Sequence, residues 1–265
     1  MQIGYLVSDL DQLANVADWG FDYAETTPWV LDPHLLDPAR AAGAEERDSL
    51  DFLASSPVSV PVLCGFIPDP QRHGLMVVGP DVDPERLRAY VTRLFDLMRR
   101  AGIEVIGYGS GGSRWVPDGF PKERALAQVG DFLRLCAALG ESRGVKVALE
   151  PYNRDDANLL NTVPEALELV REVDCTHVRL MADFFHMRLN GESFDDLAEA
   201  GPFLIHGHIA EPGRGRPQST PEEHTEYLVA LRQAGYDGCV TQTGELPAYA
   251  SPAEAATALL KAARS

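Results

Sequence analysis

Positive charge, paired cysteines and long apolar runs are all scarce in this chain, and each scarcity removes a class of function. Lys and Arg number 23 against 40 Asp and Glu, a formal charge of −17. Such a chain repels polyanions and has no basic stripe for counterion release, so nucleic acid is not an expected partner. The surplus carboxylates read mainly as solvated surface, and those kept inside could bind a cation. The four cysteines, Cys64, Cys136, Cys175 and Cys239, are scattered without a CxxC pair. Neither a zinc knuckle nor a disulfide framework is indicated, and reduced thiols are expected. No stretch reaches the ~18 apolar residues of a membrane span, and the opening MQIGYLVSDL has no basic segment before an apolar one. A cytoplasmic location without membrane contact is the expectation. Linkers and low-complexity tracts are missing too, which favours one domain over residues 1–265.

What is present is an alternation. Short, apolar, β-rich runs recur between longer stretches of helical period, the signature of parallel βα units. The strands expected are MQIGYLV, DYAETT, SVPVLCGF, EVIGYGS, VKVALE, VRLMAD, FLIHGHI and GCVTQT. Each is mostly apolar, as a strand covered on both faces should be. Segments such as PERLRAYVTRLFDLMRRAG and TVPEALELVREV carry apolar residues at spacings of three and four. Thr-Val-Pro-Glu and Thr-Pro-Glu-Glu open helices, and Gly102 and Gly235 close them. Eight such units in 265 residues fit an α/β fold, a single (β/α)8 TIM barrel, whose usual length is about 250 residues. An open doubly wound sheet would advertise itself by G-x-G-x-x-G after the first strand, and that turn is absent. The one glycine-rich loop, GYGSGGSR at 107–114, reads as a sugar-contacting loop.

In a parallel barrel, side chains at the C-terminal strand ends converge on one mouth. Here the fifth strand ends in Glu150, the sixth in Asp183, and the seventh carries His206 and His208. Two carboxylates and an imidazole suit one divalent metal ion, Mn2+ first, with Mg2+ or Co2+ as alternatives. His206 and His208 lie at i and i+2, on the same side of a strand, so one can ligate while the other packs. His208, nearer the strand end, is the expected ligand. Glu25, Trp29, Phe66, Tyr108 and Trp115 are candidates to wall the pocket. Arg114 is the candidate for an extra substrate contact to a phosphate or carboxylate. His73, His177 and His224 show no partner pattern and are expected at the surface.

Three of these stretches resemble a known family. Glu150-Pro151-Tyr152-Asn153-Arg154, Asp183-Phe184-Phe185-His186-Met187, and His206-Gly207-His208 followed by Glu211 and Arg214 look like the strand-end motifs of the xylose-isomerase-like barrel superfamily, in its ketose 3-epimerase branch. The resemblance implies that Glu150, Asp183 and His208 are metal ligands, with Glu150 doubling as an acid/base group. It implies that His186 and Arg214 hold substrate oxygens, with Glu211 beside them. Asp156 stands where relatives often place a substrate-contacting Glu. Relatives complete the site with an eighth-strand Glu about seven residues after the Tyr of Gly-Tyr-Asp-Gly, but here that count lands on Thr243. Glu245, two residues on, is the candidate replacement, provided Gly244 lets the backbone bend toward the metal.

The chemistry expected is proton transfer next to the carbonyl of a small sugar-like substrate, through an enediolate, with Glu150 and Glu245 as the two catalytic carboxylates. Without Glu245 the metal keeps three protein ligands and the two-base epimerisation fails. A metal-dependent lyase or dehydratase on the same barrel is the alternative, and a non-catalytic sugar-binding or partner subunit a second. A DNA-repair endonuclease of the superfamily is disfavoured by the charge. Barrels of this kind are often homo-oligomers.

Overall fold

The computed structural model describes residues 1–37, 44–68, 73–211 and 219–265. Eight strands form it: β1 (Gln2–Leu6), β2 (Tyr23–Thr26), β3 (Ser59–Leu63), β4 (Val105–Tyr108), β5 (Lys146–Leu149), β6 (Val178–Asp183), β7 (Leu204–Ala210) and β8 (Cys239–Thr243). All pair in parallel in chain order, and β1 pairs with β8 to close the sheet into a barrel. The chain is a (β/α)8 TIM barrel, and every strand lies in a stretch the apolar patterning marked, β7 running one residue past its stretch to Ala210.

The described helices are α1 (Leu13–Trp19), α2 (Pro28–Leu31), α3 (Ala44–Ala54), α4 (Pro84–Ala101), α5 (Lys122–Glu141), α6 (Val163–Val173), α7 (Phe184–Asn190), α8 (Leu197–Ala200), α9 (Pro221–Gln233) and α10 (Pro252–Arg264). Their ends follow the capping chemistry in the sequence. The Thr162 side chain caps α6 by accepting from the Glu165 N–H, and Thr220 and Glu223 form a reciprocal box at the start of α9. Gly102 closes α4 at φ +70°, a left-handed conformation that strains residues with a side chain. The apolar faces of these helices bury Tyr90, Leu94 and Phe95 of α4, Phe132 and Leu133 of α5, and Tyr227 and Leu231 of α9 against the sheet.

Register places the chemistry. Asp183 of β6 lies beside His208 of β7, which lies beside Thr241 of β8. Residues opposite one another in a parallel sheet share a face, so these three look into the barrel at one level. Below them the Tyr23 ring passes over Gly4, where a Cβ would come within 2.4 Å of the ring. Its hydroxyl then reaches Thr241 Oγ1 at 2.7 Å. The barrel is therefore packed beneath the mouth, and the polar residues sit on that floor.

Candidate metal centre

Glu150 follows the last residue of β5, and its backbone N–H still donates to the Tyr108 carbonyl of the neighbouring strand at 3.0 Å. Asp183 ends β6 and starts α7. One carboxylate oxygen, Oδ1, caps that helix by accepting from the N–H groups of Phe185 (2.6 Å) and His186 (3.4 Å). The other, Oδ2, lies 3.7 Å from His208 Nδ1, and Glu150 Oε1 is also 3.7 Å from that nitrogen. One residue can thus cap a helix with one oxygen and offer the other to a ligand cluster.

The Glu150, Asp183 and His208 ligand atoms all lie within 4.8 Å of one another. Metal–ligand bonds of ~2.1 Å at angles between 90° and 120° separate ligand atoms by about 3.0–3.7 Å. The observed 3.7 Å spacing fits an ion at their centre. Charge points the same way. Burial pushes the Glu150 carboxyl up to about 8, with Asp183 adding to the rise and His208 and Arg114 opposing it. Burial acts upward on Asp183 too, but His186, His208 and the Phe185 N–H outweigh it and hold that carboxyl low. Burial also works against a protonated His208, yet Glu25, Asp183 and Glu150 outweigh it and hold the ring protonated without metal. A divalent cation would take the place of the protons on Glu150 and His208.

Glu25 of β2 is the residue with no assigned place in the metal site. It is fully buried, and Oε2 lies 2.9 Å from His206 Nε2. Its two oxygens lie 3.1 and 3.2 Å from His208 Nε2. Glu25, His206 and His208 also lie close enough to hold an ion, and their contacts of 2.9–3.2 Å are equally those of hydrogen bonds. The proton count supports hydrogen bonding. His206 Nδ1 is 3.1 Å from the Cys239 carbonyl, an acceptor, so the proton in its Nε2 contact is held between imidazole and carboxylate. Burial pushes the His206 pKa down, and Glu25 draws against it. For His208, donation from Nε2 to Glu25 leaves Nδ1 as the nitrogen facing Glu150 and Asp183, which is how carboxylates orient metal-ligating imidazoles.

His186 lines the same mouth. Its Nδ1 accepts from the Asn153 backbone N–H at 3.2 Å and sits 2.8 Å from the Asn153 amide nitrogen. The ring hydrogen is therefore on Nε2, which lies 3.8 Å from Glu150 Oε1. The ring stacks on Tyr152 at 4.1 Å. Burial lowers its pKa against the pull of Asp183 and Asp156, so it is a neutral N–H donor at neutral pH.

Other expectations separate from this centre. Glu245 does not reach it: β8 stops at Thr243, Gly244 turns at φ +86°, and the Glu245 side chain is exposed. Its charge is felt by Tyr5, which packs on Trp19 and Phe21 in the outer layer. The flexible glycine bends the chain outward instead of toward the metal. Arg114 is fully buried and donates to the Glu150 carbonyl oxygen at 2.6 Å, so it is no open anion contact. Glu211 accepts from the Ser219 N–H at 3.0 Å and from the Ser219 hydroxyl, which engages its carboxylate away from the ligand cluster. His224, expected at the surface, is buried between Ser219 Oγ (2.6 Å) and Tyr249 Oη (3.0 Å). Asp156 is exposed at the rim and accepts from the Asn153 amide at 2.7 Å, one link from His186. Arg214 lies outside the described residues. Phe66 and Tyr108 are core rings in edge contact at 5.7 Å, not pocket walls.

Known proteins match this chain along its length. It aligns with a probable ketose 3-epimerase of Synechocystis sp. at 27% identity over 233 residues, 84% of this chain and 74% of that protein. It aligns with a D-psicose 3-epimerase of Ruminiclostridium cellulolyticum at 32% identity over 174 residues, 61% of this chain and 56% of that one. Among solved structures, D-psicose 3-epimerase with D-tagatose from Clostridium cellulolyticum H10 superposes with a TM-score of 0.76 at 22% identity, covering 100% of this chain and 98% of that one. At that identity the likeness is one of fold. The model of the xylose isomerase-like TIM barrel family matches residues 13–263, and the chain belongs to that family.

Proposed function

We propose that this protein is a divalent-metal-dependent sugar isomerase/epimerase that moves a proton next to the carbonyl of a ketose or a related small polyol-derived substrate. The observation that carries this reading is the convergence of Glu150, Asp183 and His208 at the barrel mouth with ligand atoms within 4.8 Å of one another. The relatives named as ketose and psicose 3-epimerases support a sugar substrate.

A divalent ion held by Glu150, Asp183 and His208 would supply Lewis acidity, polarising the substrate carbonyl and easing loss of the neighbouring proton. The mixed oxygen and nitrogen donor set favours Mn2+, with Mg2+ and Co2+ as alternatives. Glu150 is the base: its carboxyl is buried at the mouth, where removal from water strengthens it as a proton acceptor. His186 presents its Nε2–H to the charge that develops on the substrate oxygen, and its Nδ1 contacts with Asn153 fix the ring. Asp156 holds Asn153 in turn, which puts its influence on substrate at one remove. Glu211 and Arg214 remain candidates for the substrate's far end, Glu211 by anchoring its loop at Ser219. The four free thiols are in keeping with a cytoplasmic location.

A second reading of the stereochemistry has its own support. Thr243 occupies the end of β8 and Glu245 is turned away, so β8 offers no second carboxylate to work opposite Glu150. One base that takes a proton and returns it to the adjacent carbon interconverts ketose and aldose instead of inverting a centre. The test is an Mn2+-supplemented assay for solvent deuterium entering a panel of free ketoses, with products resolved by NMR. Exchange that disappears in Glu150→Gln supports the proton-transfer reading, and an aldose product selects one-base isomerisation over an epimer. Full exchange in Glu150→Gln would sink the assignment of the base.

A further inference from the structure

The proposed reaction gives the glycine-rich loop 107–114 no role. Its packing is specific all the same. A Cβ on Gly109 would lie 2.3 Å from Glu150 Oε2 and 2.4 Å from Tyr152 Oη. On Gly111 it would lie 2.6 Å from the Asp156 carbonyl oxygen and 2.9 Å from Tyr152 Cδ2. Both glycines are there because the segment after β5 presses onto their backbone.

Arg114 ends the loop. It is fully buried, yet among the described residues it forms no ion pair with a carboxylate, and its Nε has no hydrogen-bond partner. One terminal nitrogen donates to the Glu150 carbonyl at 2.6 Å, and the other sits 3.5 Å from the Tyr108 carbonyl. The guanidinium lies between two rings, 5.5 Å from the centre of Tyr108 and 5.3 Å from that of Tyr152. A buried cation without an acid is costly, and an apolar side chain of similar volume would fill the space more cheaply. The loop is itself tied down: Ser110 Oγ accepts from the Ile67 N–H at 3.0 Å, and the Ser113 carbonyl accepts from Val77 and Val78 at 2.8 and 3.1 Å.

Glu150 is thus confined from three sides. Its N–H is tied to the Tyr108 carbonyl, its carbonyl to Arg114, and its Oε2 lies against Gly109. What remains open is Oε1, toward His208 and His186. We propose that the 107–114 loop is a socket that aims the Glu150 carboxylate into the mouth, with Arg114 as its positioning residue; the inference rests on the reading of Glu150 as metal ligand and base.

The experiment is an Mn2+ titration of the full chain followed by the EPR signal of free Mn2+, with thermal melts of the same samples. The variants are Arg114→Met, Arg114→Lys, Gly109→Ala and Glu150→Gln, with Leu259→Ala, at a buried site on α10, as a destabilised control. Loss of an outer partner of a metal ligand weakens binding roughly 10- to 100-fold. That loss is expected for Arg114→Met and for Gly109→Ala, whose new methyl displaces Oε2. Arg114→Lys, which can still donate to the Glu150 carbonyl, should recover affinity to within about threefold of wild type. Leu259→Ala should melt lower with unchanged affinity. If Arg114→Met does not fold, Gly109→Ala decides alone. Wild-type Mn2+ affinity in folded Arg114→Met or in Gly109→Ala, or an equal loss in Leu259→Ala, overturns the socket while leaving Glu150 a ligand. Unchanged Mn2+ binding in Glu150→Gln, or none in wild type, overturns the metal-centre reading and the socket with it.

Discussion

Replacing Glu25 separates the fold's use of that carboxylate from the site's use. The side chain is fully buried and holds His206 at 2.9 Å and His208 at 3.1 and 3.2 Å. Glu25→Ala leaves both imidazoles facing a cavity with unmet hydrogen bonds, and breaking a buried charged pair costs about 3–5 kcal/mol. In a chain of this size that corresponds to a fall in Tm of roughly 10 °C. Glu25→Gln behaves differently because its amide can satisfy both rings. The amide oxygen accepts from His208 Nε2–H, and the amide NH2 donates to the His206 Nε2 lone pair while His206 Nδ1–H keeps the Cys239 carbonyl. Glu25→Gln should therefore melt close to wild type, yet bind Mn2+ about 10-fold more weakly because a neutral amide makes His208 a poorer ligand.

The pH response gives an independent check. Burial raises the Glu25 pKa, but His208 and His206 outweigh it and hold the carboxyl well below its ordinary value. A depressed carboxyl contributes stability that is present above the unfolded-state value, about 4.3, and is lost as pH falls toward the folded-state one. Wild type should lose stability in that acid range more steeply than Glu25→Gln, measured by urea unfolding of metal-free protein. Glu25→Ala with wild-type Tm and wild-type Mn2+ affinity would refute the reasoning, since a fully buried carboxylate between two imidazoles cannot be removed at no cost.

Four further outcomes follow from the site's charges. Glu150, pushed up to about 8, and His208, held protonated by Glu25, Asp183 and Glu150, must both release protons when an ion binds. Mn2+ affinity should then rise with pH between 6 and 8, by up to ~100-fold per unit for two protons, and a flat profile would contradict this. The same raised Glu150 carboxyl stabilises the metal-free fold most at acid pH, and that contribution fades as pH rises toward about 8. Glu245→Ala should leave Mn2+ affinity within about twofold of wild type, because the exposed side chain is outside the ligand cluster, whereas Thr243→Glu, which places a carboxylate at the end of β8, should tighten binding about 10-fold in the same titration.

Periodicity carried the fold because every strand is short, apolar and separated from the next by a helical stretch with its own caps. The convergence of Glu150, Asp183 and His208 was legible for a related reason: in a closed parallel barrel the C-terminal strand ends gather at one mouth. Arg114 was misread because an Arg after a run of glycines looks like an exposed anion contact. The glycines themselves were the better signal, since they mark backbone approached closely by something else, here Glu150 and Tyr152. His224 was misread because, besides Ser219 five residues before it, its partner is Tyr249, from a loop after β8 that only the fold brings beside it.

Glu245 and Glu25 belong to one argument. Counting by twos along β8 puts Glu245 on the face of Thr243 only if the strand continues, and a left-handed glycine between them ends it. With that carboxylate turned outward, the ion would keep three protein ligands, and the orientation of its single imidazole matters more. That orientation comes from β2. Tyr23–Thr26 is buried at every position and carries one charge, Glu25, and a carboxylate inside a strand covered on both faces must have a partner. His-Gly-His supplies two imidazoles on one face of β7, and only one can turn a nitrogen to Glu150 and Asp183. Glu25 and His206 are therefore the two halves of one device that sets the tautomer of His208.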